Sequence, residues 1–354
     1  MDETIERRKG RRIHAKGRYR DAVRSTKGTV VQCYGLQWIS LMRLVPLPWS
    51  TRPWALPFLT ILAPSERANP KAKRRHQTTV DGTMQAVKAI SRWLGGRRWT
   101  LIGDGGYAGV RLAHAGIARG VTLISRWRPD ARLQAFPNRN APPRRGPKPW
   151  KGKRLPALKA RVAAALADGK DLEIPWDGGT TRRVRVLSKV SLWHTPGERP
   201  VAMRWVLIVD PTGAMAPMAV FRTDRDRPVA TIIAPLVRRW NVEVTFEETR
   251  RHWGVETRRQ WSDRAIPRTP PALFALFSLG CLMAHRLVAM GHALPIRVTA
   301  WDRKSEATVS DGLAMVSRIL WAEKYFTNSM DQPEPHVLTP EDGDVLLDQL
   351  ASTA

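Results

Sequence analysis

The sequence predicts an α/β fold that is interrupted by a β-rich insertion. Helical and strand-like segments alternate between residues 79 and 125, an order typical of parallel strands in an α/β layer. Four strand-like segments follow between residues 172 and 222, and helical spacing returns from about 228 to 252. The length of 354 residues allows about two domains, and a hydrophobic content of 43% is enough for a buried core.

The first α/β part is read from apolar runs and their spacing. Residues 29–63 hold two apolar runs separated by prolines, which predicts two strands. Met84, Val87 and Ile90 recur at helical spacing, which predicts a helix over 79–94 that ends at two glycines. The remaining predicted elements are a strand over 99–102, a helix over 107–119 and a strand over 121–125.

A strongly basic segment follows. From Arg126 to Arg161 there are twelve Lys or Arg and one acid, Asp130. Like charges and prolines oppose a packed core, so this segment is predicted to be an exposed linker or arm. It is either a solvated tether or a strap that grips phosphates. The strand-like runs beyond it, with a β-turn at 210–213, predict a small antiparallel β-module inserted into the α/β domain.

The charge of the chain points to a polyanionic partner. It has 59 Lys and Arg against 31 Asp and Glu, a formal net charge of +28. Arg and Trp are interleaved along most of the chain, which favours nucleic acid over a merely soluble basic protein.

Two isolated cysteines, Cys33 and Cys281, provide neither a disulfide framework nor a zinc spacing and fit a reducing cytosol. The basic N-terminus lacks the apolar region of a signal peptide. The longest apolar stretch, 270–284, holds 13 residues after its two prolines. It is predicted to be a buried helix that is too short to span a bilayer.

Three carboxylates stand out by context. Asp104 follows a buried strand, where α/β sheets gather ligands, although an Asp there also caps the next helix. Glu243 shares a helix face with Arg239 and Arg250, since the three lie within about 40° around the axis. That face is either an exposed ion pair or part of a site, and the flanking aromatic residues favour a site. Asp2 by itself is typical of a frayed terminus.

Carboxylates that converge on one site repel one another, and a divalent cation is the usual remedy. Oxygen ligands favour Mg²⁺ or Mn²⁺ over zinc. Two such ions about 3.5–4 Å apart support phosphodiester chemistry, which suits a strongly basic protein on DNA.

At these residues the chain resembles the DDE transposases of bacterial insertion sequences. The resemblance covers about residues 1–290 in the same order. Its segments are Leu236-x2-Arg239-x3-Glu243-x6-Arg250, similar to the Tyr-Arg-Glu-Lys signature, and Asp2-Glu3-Thr4 and Asp104-Gly105-Gly106-Tyr107, similar to the segments of the first and second catalytic aspartates. The chain departs from the family in Leu236, where the family has Tyr, and in Arg250, where it has Lys. It also begins one residue before the first Asp, so we expect an N-terminally truncated form that binds DNA and cleaves it weakly or not at all.

The resemblance implies a ribonuclease-H-like mixed sheet with helices, interrupted by a β-rich insertion between the second Asp and the Glu. Four regions follow from it. They are 1–126, the first part of the catalytic core with a truncated first strand; 127–226, the basic linker and the β-rich insertion; 227–290, the helical remainder carrying the Glu; and 291–354, a C-terminal region with a frayed end.

The resemblance also implies the roles of the site residues. Asp2, Asp104 and Glu243 would be catalytic and would hold two Mg²⁺ or Mn²⁺ ions. Arg239 and Arg250 would grip DNA phosphates beside the cut. The implied partners are double-stranded DNA, at transposon ends and target, and a second copy of the chain in the DNA complex. No membrane is implied, and the expected location is the cytoplasm, at the nucleoid.

Two alternatives stay open from the sequence. One is a non-catalytic basic DNA-binding remnant of a transposase, whose binding would weaken steeply with salt. The other is a metal-dependent nuclease on the same core, which would nick DNA without joining strands. A glycosidase also uses two carboxylates, but sugars do not account for the basic excess.

Overall fold

The computed structural model describes residues 1–21, 24–26, 28–66, 76–131, 133–138, 140, 146–176, 180–257, 260–297, 304, 306–326 and 343–348. The chain divides into two compact units. The first unit comprises Met1–Leu41 and Ile61–Glu243, and the second comprises Met42–Thr60 and Val244–Ala354. Asp2, Asp104 and Glu243 therefore all belong to the first unit.

The first sheet is built on one long strand, β3 (Gln32–Val45). The strands β1 (Asp2–Arg7), β2 (Gly17–Arg20) and β4 (Trp54–Leu62) pair with it, β1 and β2 in antiparallel orientation. β3 and β4 confirm the two strands predicted within 29–63. Leu36, Trp38 and Ile39 of β3 are fully buried.

β1 forms although its sequence, DETIER, has no strand-like apolar alternation. Asp2 lies opposite Ser40 of β3, and Arg7 lies opposite Gly35. Gly35 is needed for this approach, because a Cβ there would lie 2.4 Å from the backbone oxygen of Glu6. For these residues the expected frayed terminus is wrong, since backbone pairing with β3 orders them.

The second sheet has seven strands in the described residues, in the order β5-β6-β11-β10-β9-β7, with β8 paired to β9. β5 and β6 run parallel, as predicted. The other pairings with printed register are antiparallel. The strands are β5 (Trp99–Gly103), β6 (Val121–Trp127), β7 (Leu133–Gln134), β8 (Lys170–Pro175), β9 (Thr181–Trp193), β10 (Val201–Val209) and β11 (Met218–Arg222).

The insertion continues the core sheet. Its strands are antiparallel, and its turn closes with the amide of Gly213 donating to the Asp210 oxygen at 3.1 Å, both as predicted. However, β11 pairs with β6, with Phe221 opposite Ser125. The inserted strands therefore extend the core sheet, because they bond to the edge that β6 would otherwise expose.

The basic segment is anchored in its described parts. The amide of Ala135 donates to the Lys153 oxygen at 2.9 Å, and the amide of Leu155 donates to the Leu133 oxygen at 3.0 Å. Leu158 is fully buried. Most of the described residues between 146 and 160 are exposed, as predicted. They do not form a free arm, however, because the chain turns back and pairs with itself. Several of its arginines, including Arg132 and Arg139, lie outside the described residues.

Four helices accompany the sheets of the first unit: α1 (Thr79–Trp93), α2 (Val110–Ile117), α3 (Val162–Asp168) and α4 (Ala230–Arg238). α1 begins with a capping box between Thr78 and Asp81, which satisfies two of its first amide groups. α4 packs on the second sheet, where Ile232, Ile233 and Leu236 join a buried cluster of β-branched and leucine side chains.

The second unit contains α6 (Thr269–Ala289) and α7 (Val309–Phe326). Phe277 and Cys281 of α6 lie in one core cluster with Val309 of α7. One face of the predicted buried helix is therefore buried, whereas Leu276, Leu279 and Leu282 are exposed. The predicted length is wrong, because the prolines occupy the first helical turn, where proline is tolerated. By length and composition alone α6 could cross a membrane: its best 18-residue window has a mean hydropathy of 1.8 and is 33% buried.

Candidate active site

The three candidate carboxylates stand at the ends of three different elements. Asp2 is the first residue of β1, Asp104 directly follows β5, and Glu243 lies in the first turn of α5 (Asn241–His252). The amino group of Met1 donates to the Ile102 carbonyl of β5 at 2.7 Å. This hydrogen bond ties the start of β1 to the end of β5, so the two aspartates come from adjoining strand ends.

One arginine joins two of the carboxylates. The Arg239 guanidinium donates from Nη1 to Asp2 Oδ2 and from Nη2 to Glu243 Oε1, the latter at 3.1 Å. The side chains of Arg239 and Asp2 are 11% and 16% exposed, so their ion pair is largely screened from water, whereas the Glu243 side chain is 40% exposed. Two acids that are distant in sequence thus meet at one cation.

A break in the helix places Arg239 there. The sequence predicted one helix from about 228 to 252, but α4 ends at Arg238 and α5 begins at Asn241. At the junction the Val242 amide donates to the Arg239 oxygen at 2.9 Å, a three-residue spacing that tightens the turn. The i,i+4 contact of Arg239 with Glu243 survives the break, as the sequence spacing implied.

Of the two roles that the sequence left open for Asp104, the structure shows the cap. Asp104 Oδ1 accepts a hydrogen bond from the Gly106 amide at 2.9 Å and caps the short 3₁₀ turn Gly105–Tyr107. Its charge also reaches Asp2. Burial raises the pKa of Asp2 above its ordinary value, Arg239 opposes that rise, and the neighbouring Asp104 charge adds to it.

Glu3 and Tyr107 support the site, and sequence reasoning assigned neither a role. The Tyr107 hydroxyl donates to Glu3 Oε1 at 2.7 Å, and the Gln37 amide donates to the other Glu3 oxygen. Burial, followed by the charge of Glu3, raises the pKa of Tyr107 well above its ordinary value, so this hydroxyl stays a donor. The sequence signal available for them was that Glu3 directly follows Asp2, and that Tyr107 ends the motif that Asp104 begins.

The donor set is suited to a hard divalent cation in its chemistry, since all three side chains offer carboxylate oxygens. Across the described residues, no group of three or more His, Cys, Asp or Glu is arranged to hold a metal ion. The guanidinium of Arg239 bonds to one carboxylate oxygen of Asp2 and to one of Glu243.

Arg250 belongs to the second unit. Its Nε lies 3.1 Å from Glu256 Oε1, and its side chain is 33% exposed. The Arg250 guanidinium, which is predicted to bind DNA phosphates, is therefore already paired with a carboxylate.

Comparison with known families agrees with this architecture. The chain matches the family described as DDE superfamily endonuclease over residues 1–210, a range that contains Asp2 and Asp104 and ends before Glu243. Comparison with curated proteins finds no match. The two sheets with their flanking helices form the mixed α/β, ribonuclease-H-like fold expected of such enzymes, which act on DNA with the help of divalent metal ions. Because the match spans more than half of the 354 residues, the chain belongs to the DDE superfamily of endonucleases.

Proposed function

We propose that the chain is a DNA transposase that cuts phosphodiester bonds at the ends of a mobile DNA element and joins those ends to target DNA. The observation that carries the proposal is the meeting of Asp2 and Glu243 at one guanidinium, with the charge of Asp104 acting on Asp2. A structural ion pair needs one acid for one base, so the additional carboxylates favour a catalytic purpose.

We assign Asp2, Asp104 and Glu243 as ligands of two Mg²⁺ or Mn²⁺ ions. When bound, the ions would activate the attacking oxygen and stabilise the leaving 3′-oxygen. The chain itself holds the three carboxylates at the ends of β1 and β5 and in the first turn of α5. The Tyr107 hydroxyl fixes the neighbouring Glu3 and so steadies the strand end that bears Asp2.

The charge supports duplex DNA as the substrate. A net charge of +28 favours phosphate contacts, and each such contact lowers the logarithm of the binding constant by about 0.9 per tenfold rise in salt. We assign phosphate contacts to Arg239 and Arg250. A second copy of the chain would complete the DNA complex, and the reaction would take place in the cytoplasm at the nucleoid.

The test is a combined nicking and joining assay with the full chain. Supercoiled plasmid and a labelled duplex with free 3′-OH ends are incubated with the protein and Mg²⁺. The sequence alone led us to expect weak cleavage or none, but β1 forms and brings Asp2 to Arg239. We therefore expect the wild type to nick the plasmid and to join labelled ends to it. Asp104→Asn and Glu243→Gln should each lower both rates by about a hundredfold or more, since they remove several kcal/mol of transition-state stabilisation.

Two features make the assay discriminating. Asn can still cap the turn at Gly106, so Asp104→Asn separates chemistry from folding. Asp168→Asn, at the exposed end of α3, is the matched control and should react like the wild type. Nicking without joining would instead identify a nuclease. DNA binding without nicking, in the wild type and in all variants, would identify a DNA-binding remnant. Each of these two results would contradict the transposase proposal.

A further inference from the structure

Arg239 is the one group in the described residues that the structure bonds to both Asp2 and Glu243. Its backbone is held on both sides: the amide donates to the Pro235 oxygen at 3.1 Å, and the carbonyl accepts from the Val242 amide at 2.9 Å. The guanidinium can therefore change partners by rotating its side chain, without moving α4 or α5. Arg238, the preceding residue, is exposed and provides a natural comparison.

The charges around Arg239 do not balance. One guanidinium is paired with two carboxylates, those of Asp2 and Glu243. The Asp104 carboxylate and the Met1 amino group also act on Asp2, with opposite signs, so one negative charge remains in excess. A divalent cation would satisfy this excess of negative charge better than a single positive charge does.

Arginine and metal compete for the same atoms. Asp2 Oδ2 and Glu243 Oε1 accept hydrogen bonds from Arg239, and carboxylate oxygens are also the preferred ligands of Mg²⁺ and Mn²⁺. The other Asp2 oxygen, Oδ1, already accepts a hydrogen bond from the Glu3 amide at 2.9 Å. A cation that takes Asp2 Oδ2 and Glu243 Oε1 as ligands would therefore have to displace the arginine.

We propose that Arg239 is a displaceable internal counterion, which holds the carboxylates together in the metal-free enzyme and is released when a divalent cation binds. This inference rests on the proposed function, because it takes the same carboxylates as the metal site. Its consequence is that Arg239 stabilises the metal-free fold and weakens metal binding at the same time. The released guanidinium keeps its charge beside the site, where a DNA phosphate can take the place of the carboxylates.

The test measures Mn²⁺ binding to the full chain by calorimetric titration without DNA. Arg239→Gln is compared with Arg238→Gln, which makes the same change in net charge on the exposed neighbour. We expect Arg239→Gln to bind Mn²⁺ at least about tenfold more tightly than the wild type, and Arg238→Gln to stay within about twofold. Thermal unfolding without metal should show a lower midpoint for Arg239→Gln, restored by Mn²⁺.

The opposite signs of these two effects separate this role from a purely structural one, because a structural arginine would lower both stability and affinity when removed. Arg239→Lys covers the case in which the Gln variant fails to fold: a lysine cannot fork to two carboxylates, so it should bind Mn²⁺ with intermediate affinity. If Arg239→Gln binds Mn²⁺ as tightly as the wild type or more weakly, the counterion role is overturned and the proposed function is not affected. Absence of Mn²⁺ binding in every protein, Arg239→Gln included, would overturn the metal site of the proposed function as well.

Discussion

Two clusters of acids and arginines involve the same strand, β1, and they differ in how closely their negative and positive charges balance. Near its end, the Glu6 and Arg8 side chains pair at 2.7 Å and are almost completely buried, with exposed fractions of 0% and 5%. The Trp38 indole donates to the second Glu6 oxygen at 3.0 Å. At its start, Asp2 shares Arg239 with Glu243, whose side chain is 40% exposed.

The difference separates a cluster that stabilises the fold from one that suits the proposed metal site. Glu6 has a cation, Arg8, in ion-pair contact with Oε1 and an indole donor at Oε2, both inside the first unit. The Asp2 cluster has a surplus of negative charge and one member that reaches solvent. A buried charge that has its partner becomes costly to fold when that partner is removed. An excess of carboxylates that solvent can reach is instead able to bind a cation.

The largest expected effect on stability tests the balanced cluster. Glu6→Leu should lower the free energy of unfolding by about 3–5 kcal/mol, because it removes a buried carboxylate from the buried Arg8 guanidinium. Urea unfolding measures the change. Glu173→Leu, on the exposed side of β8, is the control and should shift stability by less than about 0.5 kcal/mol. Equal shifts in the two variants would contradict the structural role of Glu6.

The pH dependence of stability tests the unbalanced cluster. Since the folded-state pKa of Asp2 is raised above its ordinary value of 3.8, the ionised carboxylate costs folding free energy. The wild type should therefore lose stability relative to Asp2→Asn as the pH rises through that raised pKa. Urea unfolding at a series of pH values in metal-free buffer measures the difference. A difference that stays constant, or reverses, would mean that pairing with Arg239 outweighs burial.

The smallest effect concerns Glu3, the acid between the two clusters. Tyr107→Phe removes the hydroxyl that donates to Glu3 Oε1 at 2.7 Å and should cost about 1 kcal/mol of unfolding free energy. Tyr34→Phe is the matched control, because Tyr34 is 58% exposed, and it should change stability by less than about 0.5 kcal/mol. Indistinguishable unfolding curves for the two variants would mean that the hydrogen bond from Tyr107 to Glu3 does not stabilise the fold.

Local patterns predicted much of the fold. The strands β5 and β6, their parallel pairing, the helix α1 and the four inserted strands follow from periods of two and 3.6 residues and from turn chemistry. β1 escaped prediction because a distant strand buries its polar side chains: Trp38 and Arg8 satisfy Glu6, so no apolar alternation was required. The junction between α4 and α5 escaped because helical spacing continues through Arg239 and Trp240.

The amino-acid sequence by itself determined the α/β class and the basic character that suits DNA, since these depend on composition, period and spacing within short segments. Its resemblance to a known family pointed to the candidate acids Asp2, Asp104 and Glu243. Only the tertiary structure decided that β11 bonds to β6 and that Arg239 stands between Asp2 and Glu243. The physical reason is that strand partners and ion pairs depend on which distant groups burial brings together, and burial is a property of the whole folded unit.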